Sequence, residues 1–275
     1  MKSKLYQNYF TLKPVETLCR IVFGLILLRL IFSAFANTLV HQMQMPVLKF
    51  AYVDPTFWIM HLLNIPEFFS SNYTIAWIFD SVMFLSCIMV ILFPKNKWMI
   101  GIFILFYFNY YIIFNSFGAH HTHALIAILI TPVSFLFSKK SFYYAWEGLR
   151  YFLLFSYSAA FLWKFFRLSW LNNDQGILII KKNLTPYLYF NPDSFLSKIY
   201  TWLLDNPAFT NTIFISGFII EGLFIIGFFT KKYDQYLFFL SIILPVGFWF
   251  FADALFFEQL ILSLTLFKIK SKEYE

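Results

Sequence analysis

The sequence predicts an all-α fold: a polytopic integral membrane helix bundle of about eight transmembrane helices, with a range of six to eight, in a single domain over residues 1–275. Three observations lead there. Of the 275 residues, 60% are hydrophobic and only 13% charged, against about 25% charged in an ordinary soluble domain. Forty Phe leave too little polar surface to coat a water-facing body. The apolar residues gather into runs, several of them reaching the roughly 18 residues that a bilayer crossing needs. No stretch is long enough for a separate soluble module, so any chemistry belongs in or at the membrane.

The runs fall at about 17–39, 74–93, 98–116, 120–137, 149–170, 208–229, 236–251 and 255–267. Ala34-Phe35-Ala36 imitates a signal-peptidase site, but Arg29 interrupts the apolar segment before it, which reads as an uncleaved first span. The last two runs are short. Joined, they would make a helix of about 48 Å, so a break at Ala252-Asp253 fits better, with one of the two re-entrant.

Basic residues set the orientation. Lys2, Lys4 and Lys13 precede the first run, Lys95 and Lys97 separate the second and third, and Lys139 and Lys140 follow the fourth. Lys231 and Lys232 follow the sixth, and Lys268, Lys270 and Lys272 end the chain. Every second connection is therefore basic, which puts both termini in the cytoplasm and residues 39–73, 117–119 and 171–207 outside. The net charge of +7 thus reads as orientation in a lipid bilayer, not as a nucleic-acid surface. The two long outer loops, rich in Pro and aromatics, read as interfacial caps. Richness in Lys, Asn, Ile and Phe suggests a bacterial inner membrane. Cys19 and Cys87 lie in different apolar runs with no C-x-x-C, which argues against thiol redox chemistry.

Ionisable residues inside spans are costly and mark candidate sites. On a helix over 149–170, Tyr157, Ala160, Lys164 and Arg167 share one face, with Trp170 near the outer interface. Lys164 then either snorkels outward or sits in a partly dry pocket, where a neutral amine acts as a base. A second cluster, His120, His121 and His123, opens the fourth run, where it serves as acid/base, substrate contact or helix-end polarity. A metal is not expected, because no acidic or thiol third ligand is near. Topology puts Lys164 and the His cluster on the same side, in one shared pocket that Asp80, Asn109, Asn115, Asp253 and Glu258 complete. Arg29 and Glu221 lie deeper and read as an ion pair between the first and sixth helices.

The string Tyr157-Ser158-Ala159-Ala160-Phe161-Leu162-Trp163-Lys164, with Trp170 downstream, resembles the Tyr-x-x-Ala-Gly-x-x-Lys pattern of the HTTM family, the membrane portion of vitamin K-dependent gamma-carboxylases and their small bacterial relatives. The His-containing start at His120 to His123 and the opening Leu18-Cys19-Arg20-Ile21-Val22-Phe23-Gly24 are similar to that family's layout. The resemblance implies that Lys164 deprotonates a hydroquinone, with a His of the 120–123 cluster stabilising the intermediate; helix face and topology make Tyr157, Arg167, Trp170, Asp80 and Asn109 the candidate substrate contacts. Reduced quinone is the cofactor it implies, and a quinone or a secreted peptide undergoing maturation is the substrate. Phe161 stands where the family has Gly, and the large extracytoplasmic domain that holds the peptide has no counterpart, so glutamate carboxylation does not carry over. The rival reading is non-enzymatic: an assembly, immunity or transport component, with other membrane subunits as partners, whose polar residues only hold helices together.

Overall fold

A computed structural model describes residues 14–43, 62–115, 126–253 and 256–267. Among them the chain is all-helical, without strands. Five helical segments are long and apolar enough to cross a membrane: Val15–Phe35, Tyr73–Leu92, Lys97–Phe114, Pro207–Phe229 and Asp234–Ala252. Between 22% and 39% of the most apolar part of each is buried inside the protein, so most of its residues remain at least partly exposed. The described residues fall into two compact units, 14–147 and 148–267.

The N-terminal unit contains α1 (Val15–Phe35), α2 (Ile65–Ser71), α3 (Tyr73–Leu92), α4 (Lys97–Asn115) and α5 (Ile126–Ser134), together with the opening turns of α6 (Lys139–Phe166). Asn72 starts α3 by accepting bonds from the Thr74 and Ile75 amides, and Asn96 does the same for Trp98 and Met99 at α4, satisfying amides that a helix leaves open. α3 packs on both α1 and α4. Their shared core holds Val22, Ile26, Met83 and Ile100, with the Phe23 and Phe103 rings edge to face at 5.2 Å.

The C-terminal unit takes α6 from Gly148 and continues through a 3₁₀ turn (Ser169–Leu171), α7 (Gln175–Phe190), α8 (Phe195–Asp205), α9 (Pro207–Leu223), α10 (Ile226–Phe229), α11 (Asp234–Ala252) and α12 (Phe257–Ser263). α7 packs against α9 and α11. Only glycine permits the α7–α9 contact at its tightest point, since a Cβ on Gly176 would lie 2.8 Å from the Thr210 carbonyl oxygen. α11 carries Pro245 in its interior, which removes the amide that would have bonded the Ser241 carbonyl. The Tyr157 hydroxyl of α6 donates to that carbonyl instead, at 3.3 Å. Tyr157→Phe should therefore cost about 1 kcal/mol, and less in a Pro245→Ala background where the helix reclaims its own bond. Unfolding of the two singles and the double in detergent measures the coupling.

Several expected boundaries change. The helix expected at 149–170 begins ten residues earlier, at Lys139, and ends at Phe166, where Leu168 takes a left-handed conformation (φ 54°). In the run at 120–137 the described helix is the nine-residue α5. The stretch 171–207, expected as a loop, forms α7 and α8, an amphipathic pair that buries Ile180, Leu184, Tyr200 and Leu203 against each other and leaves Lys181, Lys182 and Lys198 exposed. The break after Ala252 lies where the sequence places it: Asp253 caps α11 in a left-handed conformation (φ 50°). Beyond it, the apolar helical stretch Phe257–Leu266 is too short to span.

Candidate functional site

The C-terminal unit has a partly open cavity of about 440 Å³, walled by α6, α7, α9 and α11. α6 contributes a single residue, Lys164. The rest of the wall is mostly aliphatic and aromatic, with Phe214 and Phe218 from α9 and Phe248 and Phe251 from α11. Gly217 and Gly247 also line it, and a Cβ added at either meets nothing within 4 Å. The space is therefore real room beside two helices and not a tight helix crossing.

Lys164 does not snorkel freely. Its amine donates to Glu221 Oε1 on α9 at 2.5 Å, with the Lys side chain 28% exposed and that of Glu221 1%. The amine also lies 6.0 Å from the Phe214 ring centre and 5.6 Å from that of Phe248, where ring faces favour a cation. Glu221 thus takes Lys164 as its partner in place of the expected Arg29, which donates to Ser33 one turn along its own helix at 2.6 Å. The sequence marks Glu221 as an ionisable group within a span, but spacing cannot show which helix faces it.

The polar stripe expected along α6 separates on folding. Tyr157 is buried, donates to the Ser241 carbonyl and has its ring 4.2 Å from that of Phe224, and so braces helices. Arg167 lies beyond the end of α6, exposed, with its guanidinium 4.0 Å from the centre of the Trp163 ring. Trp170, in the 3₁₀ turn, lies parallel to Phe165 and Phe218 at centroid distances of 6.2 and 6.3 Å, and so backs one wall of the cavity through Phe218. Phe161, where the HTTM pattern has Gly, stacks on Phe218 at 4.6 Å and faces Gly222, so the small residue at this crossing stands on α9.

His120, His121 and His123 lie outside the described residues. Asp80 belongs to the N-terminal unit. Its carboxylate accepts from the Val40 and His41 amides and lies 2.7 Å from His41 Nδ1, while His41 stacks on Trp77 at 3.9 Å. It ties the turn after α1 to α3 and is spent on that task. Asn109 donates to Leu105 O of its own helix at 2.8 Å. Glu258 is buried in α12.

One buried charge is not among the residues that the sequence singles out. Arg150, within α6, donates through Nε and a terminal nitrogen to the two carboxylate oxygens of Asp234 at 2.9 and 2.6 Å, and to the Gly227 carbonyl at 3.0 Å. It fastens α6 to α10 and α11. Its signal is an arginine inside an apolar run, which always needs a partner.

Among the described residues, the fold and the site together define an all-helical protein with membrane-length helices and a partly open, mostly apolar cavity bearing one lysine. A scan against family models, a search of curated proteins and a search of solved structures each return no match.

Proposed function

We propose that the C-terminal unit binds a lipid-soluble ring compound, a quinol or quinone, with its oxygen at Lys164. The observation that carries this reading is that, among the described residues, Lys164 is the only charged one lining a cavity whose walls are otherwise mostly apolar and aromatic. Binding sites for small apolar ligands have this form: a largely apolar enclosure with a few polar groups that fix orientation. The volume suits a two-ring head with the first part of an isoprenoid tail. In the reaction that the HTTM resemblance suggests, Lys164 passes the proton it shares with Glu221 to that carboxylate and takes one from the quinol hydroxyl, which leaves the quinol oxyanion beside the Lys164 ammonium and a neutral Glu221. The protein is then an inner-membrane component with a cytoplasmic N-terminus, and α6, its 28 residues spanning about 42 Å, is among its crossings. Extraction of the protein with its native lipids, followed by mass spectrometry of the bound small molecules, tests the reading. A quinone at near-equal molar ratio to protein supports it, and retention of phospholipid alone removes it.

The second reading is a non-enzymatic membrane component whose ion pairs hold helices together. The Lys164–Glu221 and Arg150–Asp234 pairs favour it, since each joins two helices through a buried carboxylate. It expects a Lys164-to-apolar change to matter only for stability.

A further inference from the structure

We infer that Glu221 sets the charge class of what the cavity holds: a neutral molecule bearing a carbonyl or hydroxyl is accepted, and anionic amphiphiles such as fatty acids are rejected. The inference rests on the ligand-binding part of the proposed function and adds a specificity-determining residue to it. A lysine at the wall of an apolar cavity would, alone, be an anchor for a carboxylate or phosphate head. Here its charge is already matched. Glu221 Oε1 lies 2.5 Å from the amine, and the carboxylate is buried on a helix that itself walls the cavity. An anionic head approaching the amine would meet that carboxylate one amine-width away, and would lose its own hydration without gaining an unmatched cation.

The other polar groups on the wall reinforce this. Asn183 donates to the Ile179 carbonyl, Thr210 to that of Leu203 and Ser216 to that of Thr212, so each spends a donor on backbone and none adds positive charge. The Phe214 and Phe248 ring faces favour cations and repel anions. An ammonium has three N–H donors. With one given to Glu221, the others remain to serve a neutral oxygen.

The experiment measures binding of menadione, as the neutral probe, and of oleate, as the anionic one, to the full chain in lipid nanodiscs. Gly247→Phe serves as the variant in which the cavity is filled. The wild type should prefer menadione, and Glu221→Gln should strengthen oleate binding about tenfold or more while leaving menadione within about threefold. Both probes should be lost in Gly247→Phe. Oleate binding to the wild type as tightly as menadione, with both lost in Gly247→Phe, overturns the charge selectivity and leaves the ligand site standing. An unchanged oleate affinity in folded Glu221→Gln does the same. Failure of both probes to bind, or binding indifferent to Gly247→Phe, removes the ligand site and this inference with it. Should Glu221→Gln not fold, the wild-type preference between the two probes decides.

Discussion

Arg150→Ala is expected to destabilise the protein by about 3–5 kcal/mol, because the change strands Asp234 as a buried, unpaired carboxylate. Arg150 and Asp234 are both almost fully buried, and the guanidinium bonds both Asp234 carboxylate oxygens and the Gly227 carbonyl, reaching α10 and α11. Arg150→Lys should recover little of the loss. An ammonium cannot reproduce two parallel bonds to a carboxylate and a third to Gly227. Removing both charges, as in Arg150→Met with Asp234→Leu, should bring stability most of the way back, since a buried pair is often matched by apolar residues of similar size. Thermal unfolding in detergent, followed by loss of the monodisperse peak on gel filtration, ranks the variants. Equal stability of the wild type and Arg150→Ala would show that the pair is not holding these helices.

Lys164→Met should cost a similar amount, about 3–5 kcal/mol, for the same reason: Glu221 stays behind, buried without its cation. A loss of function in that variant therefore cannot separate chemistry from folding. Two further changes can. Lys164→Met with Glu221→Met removes both charges and should restore the fold while leaving the cavity without its donor, so quinone retention is lost at near-normal stability. Lys164→Arg keeps the ion pair and the fold, but a guanidinium stays protonated and cannot accept a proton. A quinol-dependent reaction should therefore fail in Lys164→Arg, whereas a purely structural role tolerates it.

How much of the molecule is legible in its sequence follows from which forces leave a local trace. The five membrane-length helices stand out because little besides a membrane crossing calls for an uninterrupted apolar run of that length, and the α11 break is visible because one continuous helix would be too long. The opening of α6 is hidden because Lys139 and Lys140 read as a connection, although Phe142 and Trp146 one turn apart are both buried and mark a helix face. α7 and α8 read as loops on the strength of Pro186, Pro192 and Pro207. Yet Pro207 occupies the first position of α9, where a proline costs no hydrogen bond, and Pro186 sits inside α7 itself. The site is half legible. Lys164 stands out as a charge within an apolar helix, but Glu221 is 57 residues away and its pairing depends on how α6 and α9 turn toward each other, which no periodicity within either helix reports. Tyr157 reads as a ligand contact because it shares a face with Lys164. Pro245, on a different helix, is what claims its hydroxyl.

Whether a ligand oxygen meets Lys164 inside the C-terminal unit is tested most directly by a solid-state NMR distance in lipid bilayers, between ¹⁵N of lysine Nζ and the ¹³C-labelled carbonyl of bound menadione. The expected result is a dipolar contact at about 4 Å, the separation a hydrogen bond to the carbonyl oxygen imposes, present in the wild type and absent in Lys164→Arg. Menadione bound stoichiometrically with no lysine nitrogen within that range, or with the same contact surviving in Lys164→Arg, would contradict ligand binding at Lys164.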